Sequence, residues 1–255
     1  MATPARHRAR GRAILSERPL ASRRAWAKAS AWLLNTLIAA GLLALLVDRF
    51  VPPQHLPWTA LSLDQPPGLF TAAKLDRVGR DPRRCRRFLD ANAIRFTEAS
   101  TRTEGFCTTE NSVRLSSGVT ALSPAGPITA CPLALQYALW DRQVVRPAAR
   151  ELLGSGIRRI EHFGAYSCRR VYGRATGSPS NHARAAALDV AAFVTRDGRR
   201  VSVLDDWEGE DAEAAFLRRV RDGACRVFSG VLSPDYNAAH ADHLHLDDGR
   251  WRTCR

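Results

Sequence analysis

The sequence predicts an α+β domain, a small and mainly antiparallel sheet with helices packed to one side, preceded by one transmembrane helix. Three observations lead there. An uncharged apolar run stands near the N-terminus, a helical hydrophobic period alternates with segments rich in β-branched and aromatic residues, and Asp197-Gly198 joins two apolar segments as a hairpin turn would. A chain of 255 residues with 45% hydrophobic content can bury a good-sized core, which excludes a disordered protein.

The elements are justified in chain order. Residues 1–28 read as a basic cytoplasmic arm, with eight Arg/Lys against Glu17 alone, and this surplus accounts for seven of the net charge of +13. The remaining charge is spread thinly along the rest of the chain. From Ala31 to Val47, "AWLLNTLIAAGLLALLV" runs seventeen residues without a charge, and at about 1.5 Å per residue it nearly spans a ~30 Å hydrocarbon core. Residues 29–48 are therefore read as a transmembrane signal anchor. The basic residues before it keep the N-terminus cytoplasmic, so everything beyond residue 48 is exported. The long basic region, and the lack of a clean small-x-small cleavage site after Val47, favour a retained anchor over a cleaved signal peptide. Set against a membrane helix, the arm suits anionic lipid headgroups, and no nucleic-acid partner is expected.

Residues 49–79 read as a Pro-rich linker, since 49–70 hold five prolines and no sustained periodicity. The folded domain is expected over 80–255. Asp81 and Pro82 open a short helix in "DPRRCRRFLDAN", and "SVRLSSG" at 112–118 alternates like a strand. Residues 131–154 read as the main core helix, with Leu135, Ala138 and Leu139 on one face and Gly154 as the C-cap glycine. "GIRRIEHFGAYSCRRVYG" is strand-like, and "ALDVAAFVTRDGRRVSVLDDW" is a hairpin turning at Asp197-Gly198. An amphipathic helix follows through Ala212, Ala215, Phe216 and Val220, with Asp211 near its start and Gly223 past its end. "RVFSGVL" and "HLHLD" close the domain as short strands. All six cysteines lie on the exported side and none is nearer than 22 residues to the next. That spacing favours three disulfides over a zinc-thiolate site, and the connectivity stays open.

The chemistry concentrates in "NAAHADHLHLDD", residues 237–248, which holds His240, His243 and His245. On a strand His243 and His245 share a face. Upstream, His182 and Asp189 precede an apolar stretch, and Asp189 sits between Leu188 and Val190. A carboxylate there is costly unless it is paired or bound to a cation, the plainer alternative being an Asp that caps a turn. Combined with the second motif, His182, Asp189 and His245 make a two-nitrogen, one-oxygen set of the kind catalytic zinc uses, with a fourth position left for water. Zn2+ acidifies that water to a pKa of about 7 and polarises a carbonyl, which points to amide hydrolysis.

These residues resemble known families. Ser180-x-His182-x6-Asp189 with His243-x-His245 is similar to the SxHxxGxAxD and HxH signatures of LAS-type zinc peptidases, which include D-Ala-D-Ala metallopeptidases and the hedgehog domain. Beyond them, "YSCR", "SxHAxxxALDVAAF", "DGRRVSV", "AFLRRVRDGAC", "VLSPDYNAAHADHLHLD" and a terminal "CR" resemble the bacterial extensin-like C-terminal domain family over roughly residues 80–255. The resemblance implies a LAS-like fold with His182, Asp189 and His245 as metal ligands. It puts His243 beside the metal as base or transition-state stabiliser, and Asp242 where D-Ala-D-Ala peptidases carry a Glu base; the shorter arm of Asp242 favours His243. His240 fits an H-x2-H-x-H spacing. Arg169, with Tyr166 nearby, matches an arginine that holds a substrate carboxylate, and Ser180 joins the substrate-binding set. Ala185 departs from the signature, which has Gly. The implied protein is a zinc hydrolase at the bacterial inner membrane, facing the periplasm and acting on peptidoglycan peptides. The rival reading is a non-catalytic wall-binding or scaffold module with the same fold. Oligomeric state is not readable.

Overall fold

The computed structural model describes residues 20–249 and 251–255, so most of the basic arm expected over 1–28 lies outside the described residues. The chain divides into two units, 1–51 and 52–255. In the first, helix α1 (Leu20–Phe50) contains a 26-residue stretch, Ala25–Phe50, that is long and apolar enough to cross a membrane, as either an anchor or a signal sequence would be.

The second unit begins earlier than the sequence suggests. Residues 52–79, expected as an extended linker, are folded into it: Leu56, Leu63 and Leu75 are buried, and α2 (Thr71–Gly79) packs on the helix that begins at Cys131. Prolines stop regular structure here without preventing burial of the leucines between them. Lys74 pins the segment, its Nζ donating to the carbonyl of Pro53 at 2.8 Å and to Thr59 Oγ1 at 2.7 Å.

After α2 come α3 (Pro82–Ala91), β1 (Arg95–Glu98), β2 (Thr103–Glu104), β3 (Cys107–Thr108), β4 (Ser112–Ser117), β5 (Ala121–Ser123) and β6 (Thr129–Ala130). Asp81 caps α3 as expected, accepting from the N–H groups of Arg83 and Arg84. The core helix is α4 (Cys131–Trp140) and α5 (Arg146–Leu152), joined by a π-helical turn at Asp141–Val145. Periodicity predicts one continuous helix. Pro147 supplies the reason for the break, because it has no N–H to give the carbonyl four residues back, and a wider turn accommodates it.

The main sheet follows: β7 (Ile157–Gly164), β8 (Ala187–Thr195), β9 (Arg200–Ser202), then α6 (Val203–Asp206) and α7 (Ala212–Ala224), and finally β10 (Gly230–Leu232), β11 (Leu244–Asp247) and β12 (Thr253–Cys254). Its order is β5-β7-β8-β11-β10-β12, with β9 also pairing β8. The interior pairs are antiparallel, and only β5/β7 and β10/β12 are parallel. Trp140 of α4 and Phe216 of α7 both pack against Phe193 of β8, so these helices share one face of the sheet.

Two turn signals resolve differently from expectation. At the β8–β9 hairpin only Gly198 takes positive φ, +96°, and Gly198 N–H donates to Thr195 while Thr195 N–H donates to Arg199. That is a three-residue loop ending in a left-handed glycine. Gly223 lies inside α7, where an added Cβ would come within 2.2 Å of Val144; it permits close helix packing and does not end the helix. The disulfides are Cys85–Cys131, Cys107–Cys168 and Cys225–Cys254.

One irregularity positions the chemistry. Between Glu161 and His162 the β7/β8 register shifts, leaving Ala191 as an extra residue in β8. An extra residue reverses which side chains face the core. Before it, Leu188 and Val190 point into the core; after it, Phe193 does. Asp189 is thereby released to the opposite face.

Candidate functional site

β8 and β11 pair with His245 directly across from Asp189, and Leu244 and Leu246 across from Val190 and Leu188. Cross-strand partners share a face. The leucines and the valine join the core, while Asp189, His245 and Asp247 occupy the other surface. His182 arrives from a separate element, the short 3-10 turn Asn181–Arg184, which Ser180 caps by accepting the His182 N–H at 3.3 Å. The turn ends on Ala185 in the left-handed conformation, φ +53°. This is where the LAS signature has Gly, and glycine adopts that conformation without the steric cost borne by an L side chain.

His182, Asp189 and His245 converge, their ligand atoms all within 4.8 Å of one another. His182 Nε2 lies 3.2 Å from Asp189 Oδ2 and 3.3 Å from His245 Nδ1, and His245 Nδ1 lies 2.8 Å from Asp189 Oδ1. Each imidazole is held from behind. His182 Nδ1–H donates to the carbonyl of Ala165 at 3.2 Å, and His245 Nε2–H to Asp247 Oδ2 at 3.0 Å, so His182 Nε2 and His245 Nδ1 face the centre. Asp247 is itself fixed by the Gly249 N–H at 2.7 Å.

The electrostatics follow from this packing. Burial pushes the Asp189 carboxyl up, but hydrogen bonds from His182 and His245 outweigh it and hold the group well below the usual carboxylate range. Burial pulls His245 down, and Asp189 and Asp247 together outweigh that, raising it to about 9. The His245 imidazolium therefore supplies positive charge between the two carboxylates.

Two further histidines border the centre. His243 Nε2 stands 3.5 Å from Asp189 Oδ1, and its Nδ1–H donates to Asp242 Oδ1 at 2.7 Å, with the exposed Phe163 ring edge-on to it at 5.8 Å. Asp242 thus orients His243 from outside. His240 Nδ1 bonds Asn237 Oδ1 at 2.8 Å, and burial plus the neighbouring His243 and His245 lower it to about 4. His182, Asp189, His240, His243 and His245, but not Asp242, line a cleft of about 270 Å³ that also includes Arg169, Tyr172 and Ser180.

The description "Extensin-like protein C-terminus" matches residues 83–255, more than half of the chain. The chain belongs to this family. No curated protein and no solved structure matches it.

Within the extensin-like domain the remaining expected residues separate. Arg169 is exposed on the cleft and forms no ion pair with a described residue. Ser180 lines the cleft, but it is buried and its hydroxyl is spent on the turn that carries His182. Tyr166 is half-buried and is not among the residues lining the cleft. The sequence sets Asp247 beside the histidines without assigning it a role and gives no sign of Asn237, yet these two hold His245 and His240. For Asp247 the signal was present: in H-x-D on a strand the two side chains share a face, as in H-x-H. For Asn237 the sequence offers only an ordinary turn asparagine.

Proposed function

We propose that the extensin-like domain is a zinc-dependent hydrolase that cleaves an amide bond in peptidoglycan peptides, held at the periplasmic side of the inner membrane by α1. The observation that carries this reading is the convergence of two inward-facing imidazole nitrogens and one carboxylate, each imidazole braced by an acceptor behind it. Such a donor set fits Zn2+ with one position open. Zinc held there supplies Lewis acidity, polarising a carbonyl and acidifying water.

The chain's own residues do the rest. His243, pinned through Nδ1 by Asp242, turns Nε2 to the edge of the ligand set, where it takes a proton from the attacking water and passes it to the leaving nitrogen. Arg169 offers a guanidinium fork to a substrate carboxylate at the mouth of the cleft. His240, neutral near pH 7, leaves proton transfer to its neighbour. An exported domain would meet the peptide amides of peptidoglycan.

The test uses the full chain in detergent micelles with purified muropeptides, measuring bound metal and product release, alongside His182→Ala and His243→Ala. One zinc in both wild type and His243→Ala, with cleavage by wild type alone, is the expected result. Bound zinc without cleavage of any muropeptide supports a wall-binding module instead.

A further inference from the structure

A second and larger cleft, of about 800 Å³, includes Arg184 and Ala186, which flank the left-handed Ala185, together with Thr108, Gln136, Asp248 and Arg252. It has an unbalanced set of polar groups. Thr108 Oγ1 and Gln136 Oε1 are both buried and without a hydrogen-bond partner among the described residues. Gln136 is only 5% exposed, and its orientation is fixed because Nε2 donates to Asp248 Oδ1 at 2.9 Å, which leaves Oε1 as an acceptor with no donor. Asp248 forms no ion pair with a described residue; burial pushes its carboxyl up to about 6, with Asp76 and Asp247 acting in the same direction and the bond from Gln136 and the charge of Arg184 only partly opposing it.

The arginines of the cleft direct their donors elsewhere, Arg80 to a carboxylate and the other two to neutral oxygens. Arg80 pairs with Asp76 at 2.5 Å, Arg184 donates to Asn181 Oδ1 at 2.6 Å, and Arg252 donates to the carbonyl of Cys225 at 3.1 Å. What is missing is therefore a donor, and a positive one suits a half-buried carboxylate. A primary ammonium carries three N–H donors and no acceptor, so it matches one carboxylate, one amide oxygen and one hydroxyl.

We propose that this cleft binds the ammonium group of an amine-bearing ligand, an amino acid or a peptide, with Asp248 and Gln136 Oε1 as its acceptors. The site is separate from the histidine cleft and does not depend on the hydrolase reading, although the Asn181–Arg184 turn contributes to both walls.

The test is a calorimetric titration of the full chain in detergent micelles with n-butylammonium, with butyrate and n-butanol as controls, on wild type, Asp248→Asn, Gln136→Met and His182→Ala. Butylammonium is expected to bind saturably in the millimolar range while the controls do not. Asp248→Asn, which can keep its bond to Gln136, and Gln136→Met are each expected to weaken binding about tenfold or more, the loss of one charge-assisted bond. His182→Ala binds as wild type. Butanol binding as well as butylammonium, no saturable binding by wild type, or binding unchanged in both Asp248→Asn and Gln136→Met overturns the proposal. Loss in His182→Ala alone also overturns it, because it moves the cation to the other cleft.

Discussion

The two faces of the β8–β11 pair carry different burdens. One presents Leu188, Val190, Leu244 and Leu246 to the core; the other presents Asp189, His245 and Asp247 to the cleft. The residues alternate along the same four positions of register, so fold stability and site chemistry lie side by side on one scaffold yet are exposed to separate loss. The comparison teaches that a rigid apolar face lets the polar face tolerate a costly cluster of buried charge.

The sharpest way to break this comparison is to exchange its consequences. His245→Ala is expected to lower zinc affinity by about a thousandfold or more while the chain stays folded, since one of the three proposed ligands is gone. Leu246→Ala should do the reverse, costing roughly 2–5 kcal/mol of stability with metal stoichiometry kept. Metal analysis and thermal melts of both variants decide it, and a stability loss shared equally between them would erase the distinction.

A pH series isolates the polar face. His245 is raised to about 9, so in the metal-free protein its stabilising effect is fully present below its unfolded value near 6.5 and is lost as pH rises through 9. The loss is on the order of 3 kcal/mol, read by denaturant melts at pH 6 and pH 10. It should persist in Leu246→Ala and vanish in His245→Ala.

Smaller effects sharpen the picture further. Asp247→Asn removes the carboxylate behind His245 and is expected to weaken zinc binding about 10–100-fold, as for other groups that orient a metal-binding histidine. A chelator competition assay measures it. Ala185→Gly relieves a left-handed alanine but loses a buried methyl, and is expected to change stability by no more than about 1 kcal/mol. Thermal melts check that, with zinc affinity unchanged.

Much of this architecture was legible in local pattern. Asp81-Pro82 marks the start of α3, the apolar run marks α1, and Ser180-x-His182-x6-Asp189 together with His243-x-His245 marks the three converging residues, because each motif is confined to a few neighbouring positions. What stayed hidden depends on partners distant in sequence. Nothing near Cys107 points to Cys168, nothing in "LDVAAF" announces that Ala191 shifts the register, and Gly223 looks like a helix end until Val144 is seen against it. Residues 52–79 read as a spacer because their prolines are conspicuous while the burial of Leu63 and Leu75 depends on a core assembled elsewhere.

The most direct measurement is X-ray absorption at the zinc edge of the zinc-loaded full chain. A first shell of nitrogen and oxygen at about 2.0–2.1 Å, with multiple scattering from two imidazoles, is the expected spectrum. A sulfur shell near 2.3 Å, or zinc retained no better by wild type than by Asp189→Ala, would contradict it.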